Sequence, residues 1–300
     1  MHIFKCAAVA ALLLVSHMAE ARLQIFACEP EWAALAEELG GSQVVSFSAT
    51  SAMQDPHHIE ARPALISRLR RADLVVCTGA GLEAGWLPML QRRANNMRTA
   101  PGSQGYFEAS AFVELREKPA RLDRADGDVH AQGNPHIQLD PHNIATVAQA
   151  LAERLAQLDS DNAEIYSERA DNFLQRWMEA VHGWEERGAS LKGMQVVVDH
   201  AGWVYLEEWL GLKRIATLEP KPGIPPSSGH LAKVLAAVQA QPAAAVLYAA
   251  YQDKRSAQWL AARAAIEPVK LPYTVGGSAQ ARDLFALFDQ TLDLLLEVQQ

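Results

Sequence analysis

Beyond the stretch from Cys6 to Val15 this chain has no long hydrophobic run. It also has no excess of positive charge, little cysteine and no compact metal-binding motif. Each absence removes a class of protein. Without a further run of about twenty apolar residues, no later segment reads as a membrane span. The 27 Lys and Arg stand against 35 Asp and Glu, a formal charge of −8. That mildly acidic, mixed surface argues against nucleic-acid partners and offers no polybasic patch to a membrane. A His-Glu-x-x-His helix, the signature of many hydrolytic zinc sites, is missing. So are internal repeats and low-complexity segments.

The one apolar run lies where an export signal would be. Lys5 precedes it, and Ser16-His17-Met18-Ala19-Glu20-Ala21 follows with an A-x-A cleavage pattern. Residues 1–21 therefore read as a cleavable secretory signal peptide, and a soluble mature chain is expected to start near Arg22. No cysteine follows the run in position for a lipid anchor. Removal takes away Lys5 and Glu20, so the charge is unchanged. The remaining roughly 280 residues exceed the size at which a single core usually splits, so two lobes are expected. After processing two cysteines survive, Cys28 and Cys77. A disulfide, two buried thiols and part of a soft-metal site are all open readings for an exported protein.

From Leu23 onward strands and helices alternate. Strands are expected at Leu23–Cys28, Val44–Phe47 and Asp73–Thr78, and helices at Glu31–Leu39, Arg62–Arg71 and Trp86–Asn96. Such alternation implies βαβ units and parallel sheets covered by helices, an α/β fold with ligands outside the carboxyl ends of the strands. Residues 101–132 read as loop, and a helix is expected from Asn143 to about Leu158. Tyr166, Ala170, Phe173, Trp177, Val181 and Trp184 then recur at helical spacing, with Asp161 or Ser160 as cap. A helix over 161–187 would span roughly 40 Å. It reads equally as a strut between two halves or as a core helix. A second unit follows: strand Gln195–Val198, helix Val204–Leu210, Lys213–Leu218 extended, helix Leu231–Gln239, strand Ala244–Tyr248, helix Ala257–Ala265, strand Val269–Tyr273, and a closing helix from Ala281 to Val298. The expected division is 22–160, 161–190 and 191–300.

Chemistry enters through histidine. Asp55-Pro56-His57-His58 and Asn134-Pro135-His136 each place an imidazole directly after a proline, in a loop that follows a strand. His200 closes the apolar run Val196-Val197-Val198-Asp199. Histidine is the commonest metal-ligand side chain. Three of them at strand ends, drawn from both halves, suggest a metal between two lobes. His58 faces away from His57 in an extended segment. His142 reads as a first-turn helix residue, and His182 and His230 as surface or cap residues. His130 lies in a Gly-Asp-Val-His-Ala-Gln-Gly loop, as an accessory ligand or an entry-path residue.

Four phrases together resemble a known family: DPHHIEARP over 55–63, ADLVVCTGAGLE over 72–83, NPHIQLDP over 134–141, and Val198-Asp199-His200. They are similar, in order, to the solute-binding proteins of bacterial ABC importers for zinc and manganese, the cluster A-I or cluster 9 group. The resemblance implies two α/β lobes bridged by one long helix, a metal between them, monomeric state and an ABC permease as partner. It carries metal ligation onto His57, His136 and His200. Many relatives place a fourth ligand, an Asp, after the last strand. Here that loop reads Tyr273-Thr274-Val275-Gly276-Gly277, which leaves water, Asp283, Asp253 or His130 for the fourth position. The long His-rich loop of many zinc members is absent; Arg121–Gly133 carries only His130. Three neutral imidazoles suit tetrahedral Zn²⁺, while Mn²⁺ prefers carboxylate and water oxygens, so zinc is expected ahead of manganese. Two rival functions are weighed. One is a secreted three-histidine zinc hydrolase with Glu60, three residues after His57, as nearby carboxylate. The second is a metal-independent solute receptor.

Overall fold

A computed structural model describes residues 22–120, 127–128 and 130–299; the expected signal peptide at 1–21 lies outside the described residues. The chain runs β1 (Leu23–Ala27), α1 (Pro30–Gly40), β2 (Val44–Ser48), α2 (Pro63–Arg71), β3 (Leu74–Cys77), α3 (Leu87–Ala94), β4 (Tyr106–Glu108), α4 (Pro141–Leu158) and the long α5 (Ala163–Gly188). After α5 come β5 (Gln195–Val198), α6 (Val204–Leu210), β6 (Lys213–Thr217), α7 (Ser228–Ala240), β7 (Ala245–Ala249), α8 (Arg255–Ala264), β8 (Glu267–Leu271) and α9 (Leu284–Glu297). Proline opens α1, α2, α3 and α4 in the first turn, where its missing N–H costs no intrahelical bond.

Two four-stranded sheets result, in the orders β2-β1-β3-β4 and β6-β5-β7-β8, and every pairing is parallel. The sequence carries no legible repeat, yet the topology repeats. The central strands β1, β3, β5 and β7 are almost wholly buried, as expected of parallel strands covered on both faces. Their side chains alternate between two cores. Ile25, Ala27, Leu74 and Val76 face inward, while Phe26, Val75 and Cys77 pack under α2 and α3. In the second sheet Val196, Val198, Ala245 and Leu247 face inward, and Val197 and Val246 pack under α7 and α8.

The inward faces of both sheets feed one continuous core through α5. Its stripe Tyr166, Ala170, Phe173, Trp177, Val181 and Trp184 is buried along its length. Trp177 stacks on Phe173 at 5.2 Å and meets Trp184, Phe285 and Phe288 edge-on at 4.9–5.5 Å. Its Nε1–H donates to the Pro141 carbonyl at 2.8 Å. The helix thus serves as both strut and core.

Three local expectations are corrected. The stretch 101–132 contains the short edge strand β4, in register with β3 through Val75↔Tyr106 and Val76↔Phe107. Three residues are too few to give an alternation signal. Helix α5 begins after a 3₁₀ turn at Ser160–Asn162, and neither Ser160 nor Asp161 is its cap; Asn162 holds that position without a side-chain capping bond. Helix α9 begins at Leu284 and not at Ala281, because Asp283 Oδ1 accepts the Ala286 N–H at 2.8 Å.

Cys28 and Cys77 are joined as a disulfide at the adjacent ends of β1 and β3, with Cα atoms 4.8 Å apart. Glu83 lies beside the two sulfurs, but the bond between them leaves no thiolate to offer a metal. Among the described residues no helix is long and apolar enough to cross a membrane.

Candidate metal centre

Pro56 and Pro135 give two distant loops the same local shape. Asp55 Oδ1 accepts the backbone N–H of His57 at 3.0 Å and its ring Nδ1–H at 2.7 Å. Asn134 Oδ1 does the same for His136, at 3.2 and 2.7 Å. The Asx side chain closes a turn over the proline and grips the imidazole two residues on. In the Asn134 case the acceptor is a carbonyl oxygen, so the proton must sit on Nδ1. His200 follows β5 and has no such local partner. Glu219, after β6 on the neighbouring edge strand, accepts its Nδ1–H at 2.7 Å and is itself held by the Gly223 N–H at 2.9 Å.

All three rings therefore carry a proton on Nδ1, which leaves Nε2 as the nitrogen turned away from the clamp. These rings converge. Their centroids lie 5.4 Å (His57–His136), 5.7 Å (His57–His200) and 5.4 Å (His136–His200) apart, and one nitrogen from each falls within 4.8 Å of the others. His57, His136 and His200 are 6%, 1% and 6% exposed. Nε2 of His136 is fully buried with no hydrogen-bond partner. A buried lone pair with no donor is costly unless something positive meets it. Burial, followed by the neighbouring His200, His57 and His130, pushes the His136 pKa well below its ordinary value, so the ring stays neutral. At Asp55 burial works to raise the carboxyl, but the His57 hydrogen bonds and charge outweigh it and hold it below its usual value.

His130 joins the cluster through His57, with the two Nε2 atoms 3.3 Å apart. Burial, then His57 and His200, push its pKa down to about 4. The two carboxylates considered for a fourth donor are engaged elsewhere: Asp283 caps α9, and Asp253 is tied to Arg255 through Nε at 2.7 Å. His142 repeats the Asx-Pro-His turn with Asp140, at 2.9 Å for both contacts, but is half-exposed and faces Glu185 at 3.3 Å. His58, His182 and His230 are bound outside the cluster, to Asp128, Glu186 and the Thr217 carbonyl.

Three contributors escape sequence reasoning. Glu219 orients His200 from 19 residues away. A Cβ on Gly202 would lie 2.5 Å from the Tyr273 hydroxyl, 2.9 Å from the His200 ring and 3.1 Å from His136 Nδ1, so any side chain here would push these three rings out of place. Tyr273 has φ 69° and sets its ring 5.7 Å from His136, between Trp203 and Tyr251. The Asx residue two before each proline-linked histidine is the signal for Asp55 and Asn134; nothing local marks Glu219.

Comparison with known proteins bears on this geometry. The family model described as "ZnuA: Zinc-uptake complex component A periplasmic" matches residues 25–298. The manganese ABC transporter substrate-binding lipoprotein PsaA of Streptococcus pneumoniae is 24% identical over 158 residues, 52% of this chain and 48% of its own length. The high-affinity zinc uptake system protein ZnuA of Bacillus subtilis is 22% identical over 185 residues, 60% of this chain and 56% of its own length. These matches thus span about half of each curated relative. A crystal structure of ZnuA is similar in fold, with TM-score 0.74 at 21% identity over 91% of this chain and 98% of that one.

Proposed function

The chain belongs to the zinc-uptake complex component A family, and on that premise we propose that it captures a divalent metal ion between its lobes and delivers it to an ABC importer permease. His57, His136 and His200 are the proposed ligands, with His130 as the fourth donor. Four imidazole nitrogens make a tetrahedral set that suits zinc, whereas manganese would seek oxygens. Zinc is therefore the proposed cargo, with copper and nickel able to bind in vitro by the Irving–Williams order. The protein acts in the periplasm as a monomer after losing residues 1–21, with lobes at 22–160 and 191–300 around a link at 161–190. The shared core along α5 favours release by small movements of the site loops over wide hinge opening.

One observation carries this reading: three buried imidazoles, each held through Nδ1, bring one nitrogen apiece within 4.8 Å of the others, and Nε2 of His136 has no partner. The hydrolase reading loses its support, since Glu60 is exposed and turned to Arg62 at 3.4 Å. Measuring metal content after purification, then titrating zinc into the metal-free protein, tests the proposal. His57→Ala, His136→Ala and His200→Ala should each weaken binding by more than the roughly 100-fold that an orienting partner is worth. His142→Ala, in the same kind of turn, should change nothing. Stoichiometric zinc in the triple variant would refute the site.

A further inference from the structure

A cleft of about 590 Å³ opens onto the histidines, with His57 and His200 among the residues that line it. It lies outside the carboxyl ends of β5 and β7, the point where the strand order of the second sheet reverses and where ligands of such sheets are held. Five carboxylates line it, those of Asp55, Asp128, Asp199, Glu219 and Asp253, against one guanidinium, Arg255. Four of the five have partners. Asp55 and Glu219 hold histidines, Asp128 lies 3.5 Å from His58, and Asp253 pairs with Arg255.

Asp199 differs. It is 7% exposed, and among the described residues no hydrogen bond or ion pair reaches its side chain. A buried carboxylate with no hydrogen-bond donor is costly; only the adjoining His200 acts on it favourably, against Glu219 and Asp253, and the cleft that it lines is open to a cation. The carboxylates are not arranged to strip such a cation. Among the described residues, the only sets of three ligand atoms within 4.8 Å of one another are the histidine triad and Cys28, Cys77 and Glu83. A cleft this wide, with its acids set apart, matches an ion that still wears its waters.

We propose that the cleft is a vestibule, in which Asp199, within the negative field of the other carboxylates that line it, holds the divalent cation in hydrated form before it sheds water onto the histidines. The inference rests on the reading of the histidine cluster as the metal site. The vestibule acts on arrival: it raises the local cation concentration, an effect that speeds association by roughly 10–10³-fold and fades as salt screens it.

The test uses cobalt(III) hexaammine, a cation of hydrated-ion size whose ammines do not exchange, so it can occupy the vestibule but cannot ligate histidine. Zinc association and dissociation are followed by stopped flow at low and high salt, with stoichiometry measured on the same samples. In wild type the complex should slow zinc association several-fold and leave dissociation and stoichiometry unchanged. In Asp199→Asn/Asp253→Asn association should already be about tenfold slower, and neither salt nor the complex should slow it much further. Asp253→Asn alone, at an exposed group, should give a partial slowing and guards against misfolding of the buried substitution. Wild-type association indifferent to the complex, or a double variant that loads as fast as wild type, would overturn the vestibule. Failure of wild type to bind zinc at all would instead overturn the histidine reading beneath it.

Discussion

The two sheets share one strand order and one direction, yet the loops at their ends are put to opposite uses. In the second sheet the residues after β5 are Asp199 and His200, and the point where strand order reverses stays open as a cleft. The corresponding residues after β1 are Cys28 and Glu29. There the disulfide to Cys77 and the buried side chains of Glu29, Thr78 and Glu83 seal the crevice. Thr78 donates its N–H to both Glu29 and Glu83. Burial, and then the charges of Glu83 and Glu31, push the Glu29 carboxyl well above its ordinary range. The chain before α5 therefore brings His57 and His136 from outlying loops, each clamped by its own Asx-Pro turn. The chain after α5 brings His200 from the sheet end, clamped by Glu219 just past the neighbouring strand. One topology supports two ways of fixing an imidazole, and the method depends on whether the crevice is closed.

The comparison assumes two lobes built on one core, and Trp177 is where that is most exposed to test. Trp177→Ala should cost about 3–5 kcal/mol, since it empties the aromatic cluster between α5 and α9. Thermal unfolding followed by circular dichroism and calorimetry should remain a single transition at lower temperature. Two separate transitions would mean that the lobes are independent and that the shared core is not what positions the site.

A smaller effect separates the two clamps. Asp55→Ala and Glu219→Gln should each lower zinc affinity by roughly 10–100-fold. Glu219→Gln belongs at the upper end, because the same oxygen that orients His200 also holds the Gly223 N–H. Asp140→Asn, in the third Asx-Pro-His turn, should leave affinity untouched. Equal losses at all three positions, read by competition with a fluorescent chelator, would erase the distinction between clamps.

The mildest effect concerns a contact between the two halves of the chain. Thr274, after β8, donates its hydroxyl to the buried Glu31 at the start of α1. Burial raises the Glu31 pKa from its ordinary value to about 7, against the hydrogen bond from Thr274 that works to lower it. A carboxyl with a raised folded pKa contributes stability below its unfolded value that is lost as pH rises through the folded one. Glu31→Gln should therefore gain in melting temperature relative to wild type as metal-free protein is taken from pH 5 to pH 8. A difference that stays constant across that range would show that the carboxyl is not held in its neutral form.

How much of this is legible in the sequence depends on distance along the chain. The fully buried strands and the stripe on α5 announce themselves in runs of a few residues, and the Asx-Pro-His phrases contain their own clamp. Yet the same phrase occurs at Asp140-Pro141-His142, where it serves a helix start, so the phrase alone does not make a ligand. What distinguishes His136 from His142 is where the fold points each ring. Glu219, Gly202 and Asp199 are out of reach because each matters through surroundings that only the folded chain supplies: the His200 ring for Glu219, Tyr273 and His136 for Gly202, the cleft for Asp199. β4 escapes notice because its three residues carry too little pattern, although pairing with β3 settles its place.

The central claim is that imidazoles from both lobes meet on one ion. X-ray absorption on the zinc-loaded protein tests it most directly. The account predicts a four-coordinate shell of nitrogen at about 2.0–2.1 Å, with outer-shell scattering from at least three imidazole rings. A shell dominated by carboxylate or water oxygen with one ring, or by sulfur at about 2.3 Å, would contradict it.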